Sequence, residues 1–352
     1  NLCKNKKCRK KIITNYMCKA CNLPFCSNNC LNVHNSEDHR PGESLNQSKA
    51  NKRSSSQKSV FMKTGKIIKD IVIDPFFNKN NFEFVKKAGK KIILGEGAFA
   101  SIYLAKHKQS GKQYAIKLMN KDKLLAIGAT TEVVSREIFI HRRLAHDNII
   151  PLYSNYEDND NYYLIMDYAT GGSLFGKIKK SNGGFDEDTA FKYFIQAAAA
   201  INFLHENGLV HRDIKPENFL TTTNGIVQLC DFGWCRDMND GERKTFCGTY
   251  EYMAPEIVED RPYSFGIDIW ALGILLFELV HAYSPFRAKD DGKGHDHEEW
   301  EEIFKNIMKY ELKIDKPVSK DLADLIRKLL TPKHKERPTA RQIFDHPWVK
   351  KY

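Results

Sequence analysis

The sequence predicts an α+β fold in which a strand-rich part precedes a helix-rich part, with a small cysteine-braced module ahead of both. Three observations carry this. Two short apolar runs, Lys91 to Leu94 and Ile102 to Ala105, flank the glycine-rich stretch Gly95-Glu96-Gly97-Ala98-Phe99-Ala100-Ser101, so they read as the arms of a hairpin. Farther along, Phe191, Phe194, Ala198 and Ile201 recur at helical spacing, and the run from Gly266 to Val280 is apolar on every face, which marks two buried helices. Six of the nine cysteines fall within the first 30 residues.

Those cysteines come first in the chain. Cys3, Cys8, Cys18, Cys21, Cys26 and Cys30 are followed by His34 and His39. Zinc takes four Cys or His ligands in a tetrahedron, so eight ligands within residues 1–40 read as two structural zinc ions. A disulfide framework is the rival reading, and it leaves the two histidines unexplained. Residues 41–81 follow as a basic linker, polar and aperiodic through Lys58. They end in a short apolar patch, Ile67, Ile68, Ile71 and Val72, before Asp74-Pro75-Phe76-Phe77, which suits docking on the neighbouring domain or on a partner.

The net charge of +11 is uneven, because residues 1–60 hold 12 Lys and Arg against 3 Asp and Glu. Solvated linker charge is the plain reading, and an acidic lipid surface, a nucleic acid or a microtubule exterior are the functional ones. With no aromatic platform interleaved, nucleic acid is not indicated. No stretch of about 18 apolar residues exists, so no membrane span is expected. The run from Gly266 is too short for one and contains Glu278. The chain begins at Asn1 rather than at a methionine, which reads as a truncation that removes targeting signals from view.

The most informative stretch lies between the two helical runs. Phosphoryl transfer asks little covalent chemistry of a protein and much positioning and charge neutralisation. His211-Arg212-Asp213-Ile214-Lys215-Pro216-Glu217-Asn218, followed thirteen residues later by Asp231-Phe232-Gly233, supplies groups for both. Asp213 suits the orientation and deprotonation of an attacking hydroxyl, while Asn218 and Asp231 offer hard oxygens to magnesium. Upstream, Lys117 in Tyr114-Ala115-Ile116-Lys117 needs a carboxylate to orient it. Glu137 is the candidate, since Val134, Ile138, His141 and Ala145 recur at helical spacing beside it.

In this order, and with Cys247 to Glu256 and Gly266 to Gly273 after them, these segments are identified as those of the eukaryotic protein kinases. The resemblance covers residues 82–350 and implies a two-lobed fold, a strand-rich N-lobe and a helical C-lobe, with ATP between them. It implies that Gly95, Glu96, Gly97, Ala98, Phe99 and Ala100 cover the phosphates, Ala100 standing where the family has its third glycine. Lys117 would hold the α and β phosphates. Leu94, Ile102, Ala115, Met166 and Leu220 would surround adenine, with Asp167 to Ala169 as the hinge. Arg337 stands where the family pairs an arginine with Glu256.

Lys215 together with Gly248-Thr249 looks like a serine/threonine kinase. Asp231 to Trp234, Arg243 to Thr249 and His346-Pro347-Trp348 most resemble the Aurora kinases, whereas Met253-Ala254-Pro255 and the loop from Arg287 to Trp300 depart from them. Thr245 then occupies the activation-loop phosphosite, with Arg212 to pair its phosphate. Glu217 matches a carboxylate that basophilic kinases use for arginine two residues before the acceptor, and Ser173 replaces the acid used one position farther out. The segment from Cys18 to Cys30 resembles the HIT and MYND zinc fingers. By that likeness Cys3, Cys8, Cys26 and Cys30 share one ion, and Cys18, Cys21, His34 and His39 the other.

The expected protein is therefore a serine/threonine kinase using ATP, magnesium and two structural zinc ions, acting on protein substrates. Its zinc module would bind a protein partner, with association to the cytoskeleton, in a reducing intracellular compartment where cytoplasm or cytoskeleton is favoured over nucleus. A pseudokinase scaffold and a zinc-finger adaptor are the alternatives.

Overall fold

The computed structural model describes residues 74–97, 100–126, 131–238, 249–288 and 299–352, with the backbone of three two-residue strands, Tyr16–Met17, Pro24–Phe25 and Lys66–Ile67. The chain divides into two units, residues 1–59 with 67–73 and residues 60–66 with 74–352. In the first, Tyr16–Met17 and Pro24–Phe25 pair antiparallel. The eight residues expected at zinc lie outside the described residues.

Within the second unit, Pro75–Phe77 form a 3-10 turn capped by the Asp74 carboxylate, which accepts the Phe76 N–H at 2.9 Å. An antiparallel sheet follows, built from β1 (Phe82–Phe84), β2 (Ile93–Glu96), β3 (Ala100–His107), β4 (Gln113–Asn120), β5 (Leu152–Glu157) and β6 (Asn161–Asp167). The order across it is β5-β6-β4-β3, and β1 and β2 both pair with β3. Strand side chains alternate between faces. On β4, Tyr114 and Ile116 therefore join an aromatic layer with Phe82, Phe76 and Phe77, while Met119 faces Val134 and Ile138. Lys117 shares the parity of Met119, so it too faces the helix side.

Two helices follow β4, α1 (Lys121–Ala126) and α2 (Thr131–His141). Val134 and His141 are buried as the periodicity predicts. Ala145 is not part of that stripe: α2 stops at His141, and Ala145 lies in a two-residue strand with Leu144.

Beyond β6 the chain is mainly helical, with α3 (Leu174–Lys180), α4 (Glu187–Glu206), the hairpin β7 (Phe219–Thr221) and β8 (Val227–Leu229), α5 (Pro255–Val258), α6 (Gly266–His281), α7 (Glu299–Lys309) and α8 (Lys320–Leu329). Helix α4 has a well-marked start, since the Asp186 carboxylate accepts the Thr189 N–H at 2.7 Å and Glu187 and Asp188 favour the helix dipole. It stops at Asn207, with Gly208 at φ 75°. Helix α6 is buried along nearly its whole length, between α4 and α8. Gly273 permits that packing, because a Cβ there would lie 2.8–2.9 Å from Leu329 and Leu330 side-chain atoms. Among the described residues no helix is long and apolar enough to cross a membrane.

Candidate active site

The strand parity that turns Lys117 toward α2 brings it to Glu137. Lys117 Nζ lies 2.7 Å from Glu137 Oε1 and 3.0 Å from Asp231 Oδ1. Lysine and glutamate are both buried, while the Asp231 side chain is 45% exposed. Burial opposes the charge on Lys117, yet the Asp231 and Glu137 carboxylates outweigh it and raise its pKa above the ordinary lysine value. Lys117 beside Asp231 holds that carboxyl at about 2. Asp231 adopts φ 63°, a left-handed conformation uncommon outside glycine.

A second cluster centres on Asp213. Asn218 Nδ2 donates to the Asp213 carbonyl (2.7 Å) and carboxylate (2.9 Å), and Lys215 Nζ is 3.1 Å from Asp213 Oδ2. Lys215 also donates to Thr249 Oγ1 (2.9 Å), whose hydroxyl donates to Asp213 Oδ1 (3.3 Å). The loop is pinned from beneath by Asp268 of α6, which accepts the His211 and Arg212 N–H groups, each at 2.9 Å, and His205 Nε2 at 2.9 Å. Burial opposes the charge on Asp268, but the His205 hydrogen bond and the nearby cationic and N–H groups bring its pKa below the ordinary value.

The donor set suits magnesium. Asn218 spends its amide nitrogen on Asp213, which leaves Oδ1, and Asp231 spends Oδ1 on Lys117 and the Gly233 N–H (3.3 Å), which leaves Oδ2. Both are hard oxygens of the kind that cation prefers. The glycine-rich strands also leave room. A Cβ on Gly95 or Gly97 would meet nothing closer than 3.7 Å, so neither glycine is demanded by the chain's own packing. Gly97 N–H donates to Ala100 O at 2.8 Å, and Ala98 and Phe99 lie outside the described residues.

Of the residues expected around adenine, Met166, Ala169 and Leu220 belong to one apolar cluster with Leu152, Leu164 and Cys230. Ala115 stands opposite Met166 and Leu104 in register, Ile102 stands opposite Lys117, and Leu94 on β2 is 38% exposed. Asp167 turns its carboxylate to Lys112 Nζ at 3.0 Å, so what it can offer a base is its main chain. Arg337 meets Glu256 with two bonds, 2.7 and 2.8 Å. Arg212 donates through Nε to Trp234 O (2.6 Å) and through Nη1 to Tyr263 Oη (2.5 Å), while its buried Nη2 has no partner among the described residues. Thr245 is outside them.

Two contributors escaped the sequence reading. Phe232 is fully buried between the rings of His141 (4.5 Å) and His211 (5.3 Å). His141 Nε2 donates to Ile150 O at 2.7 Å, and burial holds its pKa at about 4, so the ring is neutral. Glu278 is buried in α6 and accepts a hydrogen bond from the Tyr252 hydroxyl. Burial raises its pKa, the Tyr252 bond lowers it, and the charges of Glu217 and Glu251 raise it further, to about 7. An acid isolated in an apolar run was the available signal, and it served only to argue against a membrane span.

The protein kinase domain family matches residues 89–349. The Aurora kinase of Schizosaccharomyces pombe is 38% identical over 259 residues, 74% of this chain and 70% of that protein. The Aurora kinase of Dictyostelium discoideum is 36% identical over 260 residues, 74% of this chain and 65% of that protein. CBL-interacting protein kinase 12 of Oryza sativa subsp. japonica is 38% identical over 264 residues, 74% of this chain and 47% of that protein. With the two charged clusters in place, the chain belongs to the protein kinase family. Its catalytic domain is that of an Aurora-like serine/threonine protein kinase.

Proposed function

We propose that this kinase transfers the γ-phosphoryl group of ATP to protein substrates that carry arginine two residues before the serine or threonine. The observation that carries the chemistry is the pair of charged clusters, Lys117 bridging Glu137 and Asp231, and Asp213 held by Lys215, Asn218 and Thr249. The acceptor oxygen bonds to the γ-phosphorus as the bond from that phosphorus to the ADP oxygen breaks. The hydroxyl proton passes to the Asp213 carboxylate. Lys117, held protonated, steadies the α and β phosphates, and Lys215 offers its charge to the transferred group. Asn218 Oδ1 and Asp231 Oδ2 would hold magnesium, which when bound would supply neutralisation of phosphate charge.

Substrate choice follows from Glu217, Glu251 and Glu278, three acids close enough for the first two to raise the pKa of the third. A guanidinium would relieve that repulsion. Ser173 is spent as the N-cap of α3, its Oγ accepting the Gly176 N–H, so arginine three residues before the acceptor should matter less. A phosphate on Thr245 suits Arg212 Nη2, which has no partner among the described residues. We read residues 1–40 as a two-zinc module for a protein partner, on its ligand spacing, residues 41–81 as linker and 82–350 as the catalytic domain. The basic excess of residues 1–60 suits an acidic cytoskeletal surface inside the cell. A scaffold without catalysis would have no need of the ion network, and only Ala100 favours that reading.

The test is a peptide library with purified protein and Mg·ATP. Lys117→Met and Asp231→Asn should each reduce turnover at least about a hundredfold while preserving the fold. Undiminished turnover in either sinks the catalytic assignment, and a library without arginine preference sinks the substrate assignment.

A further inference from the structure

The edge of the sheet is interrupted at residues 86–91. Since β4 takes one edge of β3, β1 and β2 share the other, as two pieces of one broken strand. Between them Lys86–Lys87 and Lys90–Lys91 fold back as a separate antiparallel hairpin. Its base is tied to β3, with Val85 N–H donating to Leu104 O (2.9 Å) and Leu104 N–H to Ile92 O (3.0 Å). The turn is Ala88-Gly89, both at positive φ, 49° and 78°. A two-residue turn of type I′ needs that pair of left-handed residues.

The local chemistry of this hairpin works against it. Ala88 occupies a conformation that is costly for a residue with a Cβ. The register sets Lys86 opposite Lys91 and Lys87 opposite Lys90, and like charges directly opposite one another destabilise a strand pair. All four lysines are exposed, and none of them forms an ion pair among the described residues. Only Lys91 finds any relief, with its ammonium 4.1 Å from the Phe84 ring centroid and 5.4 Å from that of Tyr103. For Lys86, Lys87 and Lys90 the broken local rule has no compensation among the described residues, which is where functional or strained sites are expected.

We propose that the hairpin docks an acidic polypeptide segment, whose carboxylates supply the counter-charge that the hairpin lacks. Charge complementarity selects an anion, and geometry selects the kind. Side chains alternate along a strand, so the Lys86/Lys91 pair projects from one face and the Lys87/Lys90 pair from the other. A flat bilayer meets one pair only, whereas an extended chain passing over the tip meets both. Single-stranded nucleic acid wants an open stacking platform, and the adjacent rings of Phe84 and Tyr103 already carry Lys91.

The test compares the full chain with a triple variant, Lys86→Thr, Lys87→Thr and Lys90→Thr, which leaves Lys91 on Phe84. The probe is a fluorescent peptide of about eight glutamates at roughly 0.15 M salt. Phosphatidylserine/phosphatidylcholine vesicles and a single-stranded oligonucleotide are measured beside it. Residues 1–60 attract anions equally in both proteins, so the difference between them reports the hairpin. The peptide should bind the variant about tenfold more weakly, as expected for three exposed ion pairs lost together, with no comparable loss for vesicles or oligonucleotide. Phosphorylation of a short substrate peptide should be unchanged, and the thermal midpoint should hold or rise, because the removed charges repelled one another. Equal binding of the glutamate peptide by the two proteins overturns the proposal, and so does an equal loss of vesicle or oligonucleotide binding. A lower thermal midpoint overturns the like-charge premise.

Discussion

On the proposed arginine preference, Glu278 would tie substrate choice to pH. Its pKa near 7 arises because burial, Glu217 and Glu251 penalise the carboxylate more than the Tyr252 hydroxyl stabilises it. An acid whose folded pKa exceeds its unfolded value of 4.5 loses stability as pH rises from about 4.5 to 7, and the cost stays constant above that. Function runs the other way, since the carboxylate that forms above pH 7 is the form an arginine wants. KM for a peptide with arginine two residues before the acceptor should therefore fall between pH 6 and 8. A matched citrulline peptide should show no such fall, and Glu278→Gln should flatten the arginine profile. Steady-state kinetics on the two peptides decide it, and parallel pH profiles would remove Glu278 from recognition. Asp231 behaves oppositely: its depressed pKa contributes stability above pH 3.8 that is lost as pH falls through about 2.

Among elements, α6 carries most of the architecture beneath the site. It presents Asp268 to the catalytic loop, Glu278 to the Tyr252 hydroxyl and Gly273 to α8. Its C-lobe surroundings are locked by Arg337, which bonds Glu256 twice and also the carbonyls of Gly266, Thr331 and Pro332. Removing one partner from a buried ion pair leaves the other charge uncompensated, at a cost of about 3–5 kcal/mol. Arg337→Met should thus lower the denaturation midpoint strongly, while the double change with Glu256→Met should recover much of the loss. Denaturant titration of both proteins checks this, and a double variant as unstable as the single would show that the carbonyl contacts, rather than the pair, hold the lobe.

The same elements show what was legible beforehand. Helix α6 and the stop of α4 near Gly208 follow from apolar continuity and a glycine signal, both written in single residues. The Lys117–Glu137 pair follows from periodicity on α2 together with motif order. The hairpin at residues 86–91 is not legible in the sequence, because Lys91 reads as the start of an apolar run, and the cross-strand register that opposes lysines exists only once the strands pair. Likewise Gly273 looks like an ordinary small residue until Leu329 and Leu330 arrive from a distant helix. His141 reads as a helical stripe position, and its ring contact is with Phe232, 91 residues away in sequence.

At the scale of the molecule, the family match begins at residue 89, so the cysteine-rich segment must be argued on its own chemistry. Forty residues are too few to bury a sufficient apolar core, and a module of that size ordinarily leans on metal or disulfides. With six cysteines and two histidines at metal spacing, zinc should supply most of the folding free energy of residues 1–40. The catalytic domain has a large apolar core of its own, Leu104, Trp270 and Trp348 among it. Treatment with a zinc-selective chelator, followed by restored magnesium, should therefore release about two zinc ions per chain, the number that eight ligands taken four at a time imply. It should also unfold the N-terminal module, read by proteolysis near residue 40, and leave peptide phosphorylation intact. Metal analysis well below two per chain with the segment still protected would remove zinc from the assignment. Loss of catalysis that magnesium does not restore would mean instead that the module supports the kinase domain rather than standing apart from it.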